Sequence, residues 1–263
     1  MTTAAQTPTQ PRSSHALFQV RGLVKAYGAK RVLDGLDFDV LRGECLVIMG
    51  RSGSGKSVTL RQLNGLETTD AGSVLFDGAD IAPLREHELY PLRRRVAMLF
   101  QSGALFDSMN VYENLAFPLH EHTDLDEEAI AQRVREKLAV VKLSGVEELM
   151  PSALSGGMRK RVALARSLAL DPEAVRFDEP TTGLDPVTSA TIGHLIASTQ
   201  RELGMTSVVV THDVPLARLV ADRIAFLDEG RFRFIGTWSE AQGSRDETLI
   251  HFLEGKEEAL DEV

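Results

Sequence analysis

Residues 45–66 read CLVIMGRSGSGKSVTLRQLNGL, and this stretch decides the fold. The run Cys45 to Met49 is apolar throughout and suits a strand covered on both faces. Small residues from Gly50 to Gly55 break the pattern. Beyond Lys56, Leu60, Leu63 and Leu66 recur at helical spacing, and Gly65 weakens the end. The order is strand, glycine loop, helix. Gly50, Gly55, Lys56 and Ser57 satisfy G-x-x-x-x-G-K-S, with Gly53 inside it. Glycines let the backbone turn tightly and aim its N–H groups inward, and the helix that follows adds its positive end. Lys56 is placed to reach the β and γ phosphates of a nucleotide, and Ser57 to bind Mg2+. A dinucleotide fingerprint would need a third glycine at position 58, where Val58 stands. The loop Gly50, Arg51, Ser52, Gly53, Ser54, Gly55, Lys56, Ser57 and Val58 is therefore the expected phosphate cradle.

Three further segments carry chemistry. In AVRFDEP, Asp178 ends an apolar strand and is placed to hold Mg2+ at the carboxyl end of a sheet, directly or through water. Glu179 follows and is placed to polarise an attacking water. Arg176 fits this strand badly, because a charge in a central strand is costly unless paired; an acidic partner and the sheet edge are the two alternatives. In LSGGM, Ser155, Gly156 and Gly157 precede a helix beginning near Met158. Here a second anion site competes with an ordinary N-cap. If the first loop already holds one nucleotide, the second grip can serve a nucleotide held by another copy. His212 closes the apolar strand SVVVT, where contact with a γ-phosphate competes with a structural role. His120 and His122 lie in a charged loop without a convincing set of further metal ligands.

Outside these motifs, short strands with turns over residues 17–50 and 73–78 suggest a small antiparallel sheet before the main one. Residues 126–143 form an amphipathic pattern, with Ile130, Val134, Leu138 and Val141 in line. Strands and helices then alternate to the hairpin-like RIAFLDEGRFRFIG, which reads as α/β with helices on both faces of the main sheet. The chain has 263 residues and a net charge of −9, which argues against nucleic acid as the main partner. The single cysteine, Cys45, sits in a strand and reads as a core thiol. No apolar run is long enough to span a bilayer and no signal peptide is evident, so a cytoplasmic location is expected. Residues 1–16 are rich in Thr, Gln, Ser and Pro and read as a disordered tail.

Taken together, the motifs resemble the nucleotide-binding subunit of an ABC transporter. GRSGSGKS is similar to the Walker A loop, AVRFDE to the Walker B strand and LSGGM to the signature, with Met158 where many members carry glutamine and Arg51 where proline is common. Gln101 falls at the Q-loop, Asp185 in GLDP at the D-loop, His212 at the switch histidine, and Tyr27 where the family stacks an aromatic on adenine. The resemblance runs from Leu17 to Gly236. It implies a P-loop NTPase (RecA-like) core with a small antiparallel β-subdomain and an α-helical subdomain at about 102–160, all within one domain at 17–240, followed by a short acidic tail at 241–263. It also implies two copies closed head to tail around two ATP molecules, with Mg2+ held by Ser57, Asp178 and Gln101. Ser155 and Gly157 of one copy would grip the γ-phosphate bound by Lys56 of the other. Glu179 would drive hydrolysis, Gln101 and His212 would sense the phosphate, and Asp185 would couple the two sites.

MLFQSGALFDSMNVYENLAFPL, residues 98–119, follows the Q-loop position and carries only Asp107 and Glu113 as charges. Core for the helical lobe and a partly exposed patch for a membrane permease are the two readings. Together with ELMPSALSGGMRKRVALARSLALDP, it is similar to the ATPases of Mla-type systems, which move phospholipid between bacterial inner and outer membranes. That implies a permease, an MCE-domain protein and a STAS-domain protein as partners, on the cytoplasmic face of the inner membrane. The alternatives are a polar-solute importer and a nucleotide-driven scaffold of the cell-division type. A chromosome-type ATPase would need a long coiled-coil insertion, and only about fifty residues separate Gln101 from Ser155.

Overall fold

The computed structural model describes residues 15–255, and the N-terminal tail expected at 1–16 lies almost wholly outside them. Two sheets organise the chain. The first is antiparallel, in the order β2 (Lys30–Leu41), β1 (Ala16–Tyr27), β4 (Ala71–Phe76) and β5 (Ala79–Asp80). The second has six strands. From one edge these are β10 (Arg231–Gly236), β9 (Arg223–Asp228), β3 (Cys45–Met49), β8 (Thr206–Thr211), β7 (Ala174–Asp178) and β6 (Val96–Leu99). All neighbours in this sheet run parallel except β10, which returns from β9 as a hairpin.

Every residue of β3 is buried because the sheet is covered on both faces. Helices lie on both faces, as expected, but the two covers differ. Cys45, Val47 and Met49 face a helical layer formed by α3 (Val111–His122), α4 (Glu127–Val140), α5 (Gly156–Ser167), α6 (Pro186–Leu203) and α7 (Val214–Val220). Leu46 and Ile48 face the antiparallel sheet, joined there by α1 (Lys56–Gln62) and α2 (Tyr90–Arg95). The reason lies in β1, whose Phe18 and Val20 are buried against the main sheet and can be covered only if the two sheets stack.

The C-terminal segment also differs from expectation. Residues 241–254 are folded rather than a tail: α8 (Trp238–Gln242) and α9 (Glu247–Glu254) pack on the helical face. Asp246 caps α9 by accepting from the Leu249 amide at 3.0 Å, Leu249 is buried, and Phe252 meets Phe226 with ring centroids 5.0 Å apart. The remainder of the expected tail lies outside the described residues.

Helices α3, α4 and α5 pack on one another beside the sheet. Pro118 lies inside α3 and cannot donate to the carbonyl four residues back, that of Asn114. Asn114 is itself buried and organises the segment before the helix. Its side-chain oxygen accepts from the Phe106 amide at 2.9 Å, and its nitrogen lies within hydrogen-bonding distance of the carbonyls of Phe106, Met109 and Asn110. Truncation would take this partner from the Phe106 amide and the Met109 carbonyl, whereas the Phe106 and Asn110 carbonyls keep the Met109 and Asn114 amides. We expect Asn114→Ala to lower unfolding free energy by about 2–3 kcal/mol in a denaturant titration, a loss that an exposed asparagine would not produce.

Candidate functional site

The parallel strands place their carboxyl ends along one edge of the main sheet, and the site is built there. Glycine at position 50 is required by close approach, since a Cβ there would lie 2.2 Å from the Leu227 carbonyl oxygen. Gly55, at φ 107°, caps α1 in a conformation that L side chains rarely adopt, and a Cβ would meet Leu33 at 2.7 Å. The buried Lys56 ammonium lies across the loop, donating to the carbonyls of Gly50 at 2.8 Å and Arg51 at 2.9 Å. Burial lowers its pKa, opposed by Glu179, whose carboxylate is 3.7 Å away. Ser54 has a buried hydroxyl without a protein partner, while Arg51 and Ser52 are exposed and Val58 is half-buried.

Strand β7 lies between β8 and β6, and its end brings two carboxylates to this loop. Asp178 accepts a hydrogen bond from the Ser57 hydroxyl at 2.8 Å. Glu179 has φ 47°, an uncommon conformation for a non-glycine residue that costs on the order of 1 kcal/mol. Its amide donates to the Val210 carbonyl at 2.9 Å, which holds the turn. The Glu179 carboxylate accepts from Thr211 and Thr182 hydroxyls, both at 3.3 Å, and lies 3.0 Å from Nδ1 of the largely exposed His212. Lys56, Ser57, Asp178, Glu179 and His212 are therefore brought together. A lysine, a glycine-rich loop and an anchored carboxylate can bind a terminal phosphate and direct a water at it.

Other candidates lie around this cluster. Tyr27 ends β1 with its ring about half exposed (48%), and the Lys25 ammonium sits 5.4 Å from the ring centroid. Gln101 is exposed in the turn after β6, and its carbonyl accepts from Lys160. Ser155 caps α5 by accepting from the Met158 amide at 3.2 Å. With Gly156, Gly157, Gly183 and Asp185 it lines a cleft of about 400 Å3 that contains no residue of the phosphate loop. Gly157 is needed for packing too, since a Cβ would approach Thr188 to 2.7 Å. Asp185 caps α6, accepting from the Val187 and Thr188 amides at 3.0 Å; the Thr188 hydroxyl contributes most to its lowered pKa. The Ser155 cleft and the phosphate-loop cluster are thus separate places on the one chain.

Sequence reasoning passed over Lys160, Thr182 and Thr211. Lys160 is buried, burial lowers its pKa, and it ties α5 to the turn holding Gln101. The available signal was its position in line with Ala163 and Leu164 on the apolar stripe of α5. For Thr211 the signal was adjacency to His212 at a strand end.

The segment at 98–119 divides between its two readings. Val111, Leu115 and Leu119 are buried, whereas Phe100, Phe106 and Phe117 remain more than a third exposed. The three phenylalanines line a groove of about 400 Å3 bordered by Arg93, Arg94 and Arg166. Phe106 and Phe117 meet edge to face at 5.2 Å, and the Arg166 guanidinium lies 5.5 Å from the Phe106 ring centroid.

The profile of the ABC transporter family matches residues 33–182, more than half the chain and the whole span from the phosphate loop to Glu179. The chain belongs to the ABC transporter family. ABC relatives align over nearly its full length. It is 42% identical over 240 residues to the intermembrane phospholipid transport system ATP-binding protein MlaF of Haemophilus influenzae, covering 91% of each chain. It is 43% identical over 238 residues to the probable ribonucleotide transport ATP-binding protein mkl of Mycobacterium leprae, covering 90% of this chain and 69% of that one. Among solved structures, the dimeric post-hydrolysis state of the ATP-binding cassette MJ0796 bound to ADP and Pi superposes with a TM-score of 0.77 at 32% identity, covering 84% of this chain and 98% of that one. The fold is accordingly that of an ABC ATPase cassette, and the chain is an ATPase of this family. No described helix is long and apolar enough to cross a membrane.

Proposed function

We propose that this ABC ATPase powers the movement of phospholipid between the inner and outer membranes of a bacterium. The observation that carries the reading is the 42% identity to MlaF over nine-tenths of both chains. In this reading Lys56 and the loop amides bind the β and γ phosphates, Tyr27 stacks on adenine, and Glu179 orients and deprotonates the attacking water. Ser155 and Gly157 of a second copy close over the γ-phosphate, Asp185 links the two sites, and Gln101 and His212 respond to its presence. Mg2+ fits the Ser57–Asp178 pair, which offers hard oxygen donors 2.8 Å apart beside the phosphate loop. Such a pair suits an ion that keeps most of its waters and takes its other ligands from phosphate. When bound it would neutralise charge on the phosphates.

The groove of Phe100, Phe106 and Phe117 is the proposed seat of the permease, on the cytoplasmic face of the inner membrane. An MCE-domain protein and a STAS-domain protein complete the assembly. To test the cargo, the chain is purified with its permease in nanodiscs and the co-purified molecules are identified by mass spectrometry. Retained phospholipid and phospholipid-stimulated ATP turnover are expected. A lipid-indifferent complex that retains a nucleotide or another polar solute would replace this reading with polar-solute transport.

A further inference from the structure

Arg176 is fully buried in β7, and neither explanation suggested by the sequence applies. Strand β7 is interior to the sheet, and no carboxylate among the described residues accepts from the guanidinium. Nε and Nη2 have no partner, while Nη1 donates to the Leu60 carbonyl at 2.8 Å. Burial pulls the pKa down to about 9, a measure of how unfavourable the position is. An apolar side chain would fill this site at lower cost.

The position of the one bond suggests a use. Val175 and Phe177 face the helical layer, so Arg176 and Asp178 share the opposite face, toward α1. Asp178 meets Ser57 in the first turn of α1, and Arg176 meets the carbonyl of Leu60 in the last. Ser57 and Leu60 are three apart and lie on one side of that helix. The carbonyls of the last turn lack intrahelical donors, and the helix dipole favours a cation there. Two side-chain hydrogen bonds thus join α1 to β7, one at each end of the short helix. The upper one, Ser57 to Asp178, joins the two groups that would face a metal ion, and the Ser57 oxygen keeps lone pairs for that ion while its hydrogen goes to Asp178.

Building on the nucleotide reading above, we propose that Arg176 is a positioning residue for the Mg2+ pair: it clamps the far end of α1 to β7 so that Ser57 and Asp178 stay in register for the ion. Mg2+ tolerates little deviation from octahedral geometry, so a small drift of α1 would weaken it. A single donor to a carbonyl is within the capacity of lysine, unlike a bidentate contact.

The test measures binding of a fluorescent ATP analogue to the full chain, with Mg2+ and with EDTA, for the wild type, Arg176→Met and Arg176→Lys. Arg176→Met is expected to match the wild type in EDTA and to lose about tenfold of the affinity gained from Mg2+, the usual scale for groups that orient metal ligands. Arg176→Lys is expected to recover most of that gain. An undiminished Mg2+ gain in Arg176→Met would reduce Arg176 to a space-filling residue. Hydrogen exchange on the unaltered chain provides a readout free of substitutions: protection over residues 60–64 should be the same with and without Mg2+. Protection that appears only with the ion overturns the clamp. If the wild type fails to bind the analogue in either condition, the nucleotide reading itself is wrong.

Discussion

Glu179→Gln is expected to leave ATP binding intact and to slow hydrolysis by at least a hundredfold. The two side chains are nearly isosteric. The amide oxygen can still accept from Thr211 and Thr182, so the turn at φ 47° should survive. The negative charge facing Lys56 and His212 is lost, and with it the group that can take a proton from water. ATP should then hold two chains together without being consumed. Nucleotide binding, phosphate release and size-exclusion chromatography with ATP separate the three effects. A Glu179→Gln chain that turns over within twofold of the wild type would remove Glu179 from the chemistry.

The second large effect is expected at the signature. Ser155→Ala combined with Gly157→Asp should reduce turnover by about 10²–10³-fold, the scale for removing preorganised donors to a developing charge. Any side chain at 157 also presses on the Thr188 methyl, 2.7 Å from a Cβ there. Binding at the phosphate loop should be nearly unchanged, because the cleft lined by Ser155 and Gly157 shares no residue with that loop. This separation gives a strong test. Mixed with an inactive Lys56→Ala chain, the signature variant contributes an intact loop and its partner an intact signature. The mixture should regain turnover that neither shows alone. Silence from the mixture, with both chains folded and paired, would show that a nucleotide is served within one chain.

The phosphate loop was legible because its spacing and its strand–loop–helix context agree, each level of the sequence pointing to the same backbone. Asp178, Glu179 and His212 were legible because each follows an apolar strand whose end can lie only at one sheet edge. The stacking of the antiparallel sheet on the main one was not. Antiparallel strands such as β1 announce their own sheet, and nothing local says that this sheet will roof the main one. In α9, the acidic residues suggested a solvated end, whereas Leu249, Phe252 and Leu253 recur at helical spacing and set the outcome. Arg176 illustrates the remaining gap. The sequence marked it as anomalous, but its acceptor is a main-chain carbonyl 116 positions away, and backbone acceptors leave no trace in residue identity.

Cys45 has a practical consequence. It is the chain's sole thiol, it is 1% exposed in β3, and burial raises its pKa well above the ordinary value. Alkylating probes react with accessible thiolates, so the native chain should resist maleimide labelling while folded. Spin labels or fluorophores can then be attached to cysteines introduced at exposed sites such as Val187 and Phe117 without first removing the native one. Distances between chains during turnover become measurable on an otherwise unaltered background.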